Sequence, residues 1–156
     1  MFWFRVDNRL IHGQIIETWL PYTQADMLIV ANDYLASDTV RQDIMSLAIP
    51  SRIMTSFITI IALNSFLLKQ AAQHVDALVL FSSCGDAMAA YESGLEFDRL
   101  NIANLHYSPG KKQYCDHVAL SEEDLRCLRF FASRHVELDF RCVPNSPAQM
   151  KQEPWL

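Results

Sequence analysis

Two short apolar runs, Met27-Leu28-Ile29-Val30-Ala31 and Ala77-Leu78-Val79-Leu80-Phe81, limit the folds open to this chain more than any other feature. Each is continuous rather than alternating and too short for a helix of ordinary length, so each reads as a strand buried on both faces. Around them the apolar period lengthens to that of a helix. Ile15, Ile16, Trp19 and Leu20 share one helical face, and Pro21 is expected to stop that helix near Leu20. Val40, Ile44, Leu47 and Ala48 share a second, with Ser37 or Asp38 capping its start and Pro50 marking its end. Ile53 to Ile58 reads as a further strand that gives way near Thr59 to a helical stretch carrying Ile60, Ile61, Leu63, Leu67 and Leu68. Residues from about Gly85 to Tyr91 form another helix, ending before Gly94. The aromatic and β-branched run Phe2 to Val6 supplies the first strand, and Arg99 to Ala103 the fifth.

Such alternation predicts an α/β fold: an open, mainly parallel twisted sheet with helices on both faces and right-handed crossovers. Ser108-Pro109-Gly110-Lys111 is a turn by composition, and Val118 and Leu120 suit a short strand. Ser121-Glu122-Glu123-Asp124 is a capping box with Asp in place of Glu, opening a helix that carries Leu125, Leu128 and Ala132. Val136, Leu138, Phe140 and Cys142 then alternate with Glu137, Asp139 and Arg141, which gives the last strand one wet face and predicts an antiparallel edge strand. Pro144 and Pro147 end it. A chain of 156 residues with 51% hydrophobic content is expected to build one domain, residues 1–147, followed by a tail, 148–156, without a clear period.

Charge and composition exclude several functions. A net charge of −5, with the 13 basic residues scattered, leaves no stripe for nucleic acid. The apolar start, Met1 to Phe4, is interrupted by Arg5, Asp7 and Arg9 before it reaches the length of a signal peptide or membrane span, so a cytoplasmic protein without membrane insertion is expected. Cys84, Cys115, Cys127 and Cys142 form no Cys-x-x-Cys pair, and the histidines have no ligand-like spacing, so no metal is expected. With only four glycines and neither Gly-x-Gly-x-x-Gly nor a Walker loop, the chain implies no nucleotide cofactor.

Chemistry concentrates where the first strand meets the first helix, in Arg5-Val6-Asp7-Asn8-Arg9-Leu10-Ile11-His12-Gly13-Gln14. His12 is the candidate nucleophile there. The free N–H groups of a helix's first turn favour an anion such as a phosphoryl group. Gly13 lets the backbone approach that anion, and Gln14, next in the same turn, is a candidate phosphate-binding residue with it. Arg5 and Arg9 bring positive charge and forked donors, while Asp7 can orient one of these arginines or the imidazole. Ligands of open α/β sheets bind outside the carboxyl ends of the strands, where the loops Asp7 to His12, Asn32 to Tyr34 and Ser82 to Gly85 meet. Ser82 and Ser83 fit either of two roles at that edge, phosphate donor or helix cap.

The same ten residues resemble the signature of the IIB components of the mannose, fructose and sorbose branch of the bacterial sugar phosphotransferase system, which typically reads Arg-x-Asp-x-Arg-Leu-Ile-His-Gly-Gln. The resemblance extends to Ile29-Val30 with Ser37-Asp38-Thr39-Val40-Arg41, to the strand ending at Phe81, and to Val136-Glu137-Leu138 with Arg141 and Pro144. It implies a phosphocarrier whose His12 takes a phosphoryl group on Nδ1 from a phosphohistidine on a IIA partner. The group then passes to a sugar held by a IIC/IID membrane permease. Two departures stand out: Ala103-Asn104 where many relatives have Gly-Gly, and His135 where many have Gly. Side chains at Ala103 and Asn104 are expected to crowd or rewire the loop near the site. Two alternatives fit the same residues: a regulatory phosphoacceptor without sugar transport, and a non-catalytic module that holds a phosphate ester. Neighbouring permease genes favour transport over regulation, and acid-labile, alkali-stable phosphorylation of His12 excludes the binding module.

Overall fold

A computed structural model describes residues 1–147 and 153–155. Its main sheet contains β1 (Phe2–Val6), β2 (Met27–Ala31), β3 (Met54–Ile58), β4 (Ala77–Phe81), β5 (Arg99–Ile102) and β8 (Glu137–Asp139), in the order β3-β2-β4-β1-β5-β8. Every pairing within it is parallel. A separate antiparallel pair joins β6 (Lys112–Cys115) to β7 (Val118–Leu120).

β2 and β4 are buried along their whole length, which is why their sequences are continuous in apolar residues. Their side chains divide by parity. Leu28, Val30, Leu78 and Leu80 enter one core with Ile15, Trp19 and Leu20, while Ile29, Ala31, Val79 and Phe81 enter the other with Leu63, Leu67, Leu128 and Phe131. The first helix therefore covers one face of the sheet, and α3 (Leu63–Ala72), α4 (Cys84–Glu92) and α5 (Glu122–Ser133) cover the opposite one.

Two expectations need correction, and two features are added to the sequence reading. The final strand does lie at an edge, but it runs parallel to β5, because the long helix α5 returns the chain to the amino end of the sheet before β8 begins. Its wet residues lie along the open edge of the sheet, where Glu137 and Asp139 line a hollow with Arg99 and Arg141 lies over the Trp19 and Tyr22 rings of the first helix, and the antiparallel pairing belongs to the separate β6-β7 pair. The first helix also passes Pro21. It spans 13–23, with a π-helical segment at Ile15–Trp19 and an α-helical end at Leu20–Thr23. The Leu20 N–H bonds to the carbonyl of Ile15, and this wider turn shifts the ladder so that Pro21 begins a new turn, where its missing N–H is tolerated. Thirdly, α2 (Thr39–Ser46) is capped by Asp38 as expected, yet Val40, Ile44 and Leu47 are 67%, 63% and 86% exposed, so their shared face looks outward. Finally, β6 carries no apolar alternation, so its sequence gives no sign of a strand. The tail expected over 148–156 lies mostly outside the described residues; within it, Trp155 is buried and stacks on Phe140 with ring centroids 5.1 Å apart.

The capping box of α5 is complete: Ser121 Oγ accepts from the Asp124 N–H at 3.1 Å, and Asp124 Oδ2 accepts from the Ser121 N–H at 2.9 Å. At its other end His135 takes φ = 61°, a left-handed conformation that closes bonds back to Ala132. A β-carbon is strained there. His135→Gly is expected to raise stability by about 1 kcal/mol, read as a shift of the urea midpoint without a change of slope.

Candidate functional site

The loops that follow β1, β2 and β4 leave one edge of the sheet, since Val6 and Ala31 both stand level with Phe81. The helix after β1 packs on one face and the helix after β4 on the other, so these adjacent strands form the crevice where open α/β sheets place ligands. Asp7 continues the ladder by donating its N–H to the Phe81 carbonyl at 2.9 Å, and the chain then turns tightly, with the Leu10 N–H bonded to the Asp7 carbonyl at 3.0 Å. Leu10 holds φ = 58° although it is not glycine, and burial of its side chain in the core beside Ile15 and Trp19 keeps it there. The helix starts directly after His12, whose carbonyl accepts the Ile16 N–H at 3.2 Å. Amides ahead of that first bond have no partner within the helix.

Among the described residues, the buried polar or charged side chains are Arg5, Asp7, Asn101 and Asn104. Hydrogen bonds connect all four. Asp7 Oδ2 accepts from Arg5 Nη2 at 3.0 Å, Arg5 Nε at 3.3 Å and Asn104 Nδ2 at 2.8 Å, and it lies 2.8 Å from His12 Nε2. Oδ1 accepts the Arg9 N–H at 3.0 Å. Burial works to raise the Asp7 carboxyl, but the His12 hydrogen bond, the Arg5 charge and the Asn104 amide outweigh it and hold Asp7 below the usual carboxylate range. An ionised carboxylate only accepts, so a neutral His12 carries its proton on Nε2 and its lone pair on Nδ1.

This shift has a definite sign. A depressed carboxyl contributes stability above its unfolded value, about 4, and loses it as pH falls through the lower folded value. Asp7→Asn is expected to flatten that part of the acid-unfolding curve, as followed by circular dichroism between about pH 5 and pH 2.

Arg5 is not a rim residue. It is fully buried, donates also to Gln14 Oε1 at 3.1 Å, to the Cys142 carbonyl at 3.3 Å and to Asn101 Oδ1, and lies 5.0 Å from the Trp19 ring centroid. Burial lowers its pKa from the ordinary value against the pull of Asp7, but a guanidinium stays charged. Its donors thus face inward, away from any phosphoryl group, contrary to the expectation that Arg5 and Arg9 act alike. Arg9 is exposed, and its guanidinium makes no hydrogen bond or ion pair among the described residues. Gly13 is exposed, and beyond its chain neighbours and the backbone of its own helix no heavy atom lies within 4 Å of where a Cβ would stand, so the protein leaves this turn open. Gln14, expected beside the phosphate, instead turns its side chain inward, its Oε1 accepting from Arg5 and Asn104 and its Nε2 donating to Cys142 Sγ.

Ser82 and Ser83 belong to a neighbouring network. Ser83 caps α4 by accepting the Asp86 N–H at 3.1 Å; Ser82 accepts from Asn32 Nδ2 and donates to Asp86 Oδ2 at 3.2 Å. Burial raises the Asp86 carboxyl, with nearby Asp33 adding to the effect and the Ser82 hydrogen bond opposing it. Both serines are engaged within the protein. Sequence spacing does not reveal the parts played by Asn101 and the carbonyl of Cys142, which reach the site from distant segments, or by Trp19 of the first helix, whose Nε1 donates to that carbonyl at 2.9 Å. Asn104, in sequence a departure expected to crowd or rewire the loop, makes two hydrogen bonds that are the new wiring. A hollow of about 480 Å³ lined by Trp3, Arg99, Asn101, Glu137 and Asp139 includes neither His12 nor Arg9, so the candidate nucleophile stands outside it. Among the described residues no three His, Cys, Asp or Glu side chains converge on a metal position, and no helix is long and apolar enough to cross a membrane.

Residues 1–153 match the model of the PTS system sorbose subfamily IIB component, and the chain belongs to that family of phosphotransferase-system proteins. It is 30% identical over 92% of its length to the N-acetylgalactosamine-specific phosphotransferase enzyme IIB component 2 of Escherichia coli (strain K12), covering 91% of that protein. The IIB domain of the sorbose permease from Klebsiella pneumoniae superposes with a TM-score of 0.89 at 26% identity, covering 99% of this chain and 95% of that domain. A mannose-specific EIIAB component of Escherichia coli (strain K12) is 26% identical over 92% of this chain, which spans 44% of that longer protein. The chain is thus a IIB-type phosphotransferase component with the family's fold.

Proposed function

We propose that this IIB component receives its phosphoryl group on His12 Nδ1 from a phosphohistidine of a IIA partner, and passes it to a sugar at a IIC/IID permease. The observation that carries this reading is the contact between His12 Nε2 and the buried, ionised Asp7: it fixes the proton on Nε2 and leaves Nδ1 with the free lone pair. Attack on phosphorus breaks the donor's P–N bond, whose electron pair returns to the donor ring, and no proton has to move. Catalysis is then mainly positioning and charge stabilisation. The open helix start at Gly13 and the exposed guanidinium of Arg9 are the groups able to meet the phosphoryl oxygens, with Arg5 and Gln14 acting from behind through Asp7 and Asn104. Residues 1–147 form the phosphocarrier domain in this reading, and the protein works in the cytoplasm beside its permease. The mannose-specific EIIAB relative, whose name joins A and B components, supports the IIA partnership.

Incubation with phosphoenolpyruvate, the general phosphotransferase proteins and a IIA partner, followed by phosphosite mapping, tests the assignment. Acid-labile, alkali-stable phosphate on His12 is the expected result; phosphate on another residue, or none, refutes it. In the same assay Arg9→Ala is expected to slow transfer by about 10²-fold or more, the usual effect of removing one preorganised donor from a site where charge develops. An unchanged rate would make Arg9 a surface residue only.

A further inference from the structure

We propose that Asn104 is a positioning residue that sets how readily His12 releases its phosphoryl group, by drawing charge from the Asp7 carboxylate that holds the imidazole. It rests on His12 being the phosphoacceptor. Asn104 is 3% exposed and takes φ = 53°, a left-handed conformation that any side chain other than glycine occupies at a cost. Its neighbours pin the backbone in that state: the Ala103 N–H donates to the Val6 carbonyl at 3.0 Å on one side, and the Leu105 N–H to the His117 carbonyl at 3.0 Å on the other. Held this way, the amide nitrogen donates to Asp7 Oδ2 at 2.8 Å and to Gln14 Oε1 at 2.9 Å. Two acceptors face that nitrogen, so the orientation of the amide is determined by its surroundings.

Asp7 Oδ2 is the one oxygen that also meets His12 Nε2. Each donor on it, Asn104 and Arg5 alike, takes a share of its negative charge and leaves less for the Nε2 proton. A less polarised Nε2–H makes the ring poorer in electrons at Nδ1, so the P–N bond formed there is weaker and the imidazole a better leaving group. Arg5 cannot be the adjustable element, because it is buried and also ties together Gln14, Asn101 and the Cys142 carbonyl. Asn104 can. Glycine fits φ = 53° without strain, so Asn104→Gly removes the donor while relieving the backbone.

Wild type and Asn104→Gly are each charged with phosphoramidate: the His12 Nδ1 lone pair bonds to phosphorus, and ammonia leaves with the old P–N pair. After mapping of the site by mass spectrometry, loss of phosphate to water is followed by ³¹P NMR at fixed pH. In that step water oxygen bonds to phosphorus, the P–N pair returns to Nδ1, Nε2 keeps its proton, and both water protons leave with inorganic phosphate. The half-life of phosphorylated His12 is expected to lengthen by about threefold or more in the variant. In the uncharged protein the proton on Nε2 is expected to move downfield in the NMR spectrum as Asp7 shares more charge with it, a readout that packing alone does not move. An equal half-life, or an Nε2 proton that stays in place, overturns the proposal while His12 remains the acceptor. Phosphate found on another histidine overturns it together with the reading beneath it.

Discussion

His12→Ala is expected to abolish phosphorylation by a IIA partner and leave the protein folded. The imidazole hydrogen-bonds to one buried group, Asp7, which keeps Arg5 and Asn104 as donors when the ring is removed. The stability lost is therefore about one hydrogen bond, on the order of 1 kcal/mol. Activity is different in kind. No other histidine replaces the geometry, because only His12 has one nitrogen against the ionised carboxylate and stands at the start of the helix that follows β1. Full loss of the phosphorylated species on a phosphate-affinity gel, with an unchanged urea midpoint to within about 1 kcal/mol, checks both halves. Residual phosphorylation at a slower rate would place the acceptor elsewhere.

Much of the fold could be read from residue order because burial wrote it into composition. β2 and β4, covered on both faces, show unbroken apolar runs, and the opening of α5 shows its capping box in four consecutive residues. α2 misled for the same reason in reverse: a helical spacing of Val40, Ile44 and Leu47 says that three side chains share a face, not that anything in the chain covers it. The parallel course of β8 is hidden in the sequence because one wet strand face reads alike in an antiparallel strand and in a parallel strand at the open edge of the sheet. At the site, the local run from Arg5 to Gln14 was legible, including the alternative in which Asp7 orients the imidazole. Asp7 in fact meets both Arg5 and His12 through one oxygen. What sequence spacing could not show was direction: Arg5 and Arg9 look equivalent in the chain, but Arg5 lies on a strand whose side chain enters the core, while Arg9 lies on the turn beyond it. The left-handed Leu10 gave no sign either, since leucine is chosen there for its buried side chain and endures the backbone it must adopt.

Arg5→Met is expected to destabilise the protein severely, because it keeps the apolar stem and removes the charge that compensates Asp7. Asp7 is fully buried and held ionised partly by that guanidinium. With the cation gone, the carboxylate must either stay charged without its partner or take up a proton, and Asn101, Gln14 and the Cys142 carbonyl each lose a donor as well. Breaking a buried pair from one side typically costs about 3–5 kcal/mol. Arg99→Met offers the control. Arg99 pairs with Glu137 at 2.9 Å, but both side chains are about half exposed, so water already screens the pair and the expected change is about 0–1 kcal/mol. Urea unfolding of the two variants separates these cases. A loss at Arg5 no larger than at Arg99 would mean that water enters and solvates Asp7 when the arginine is removed. The expected large loss would also reach the chemistry, since a protonated Asp7 donates to His12 Nε2 instead of accepting from it. The ring proton then moves to Nδ1, the nitrogen that must attack, and phosphorylation of the folded fraction falls together with stability.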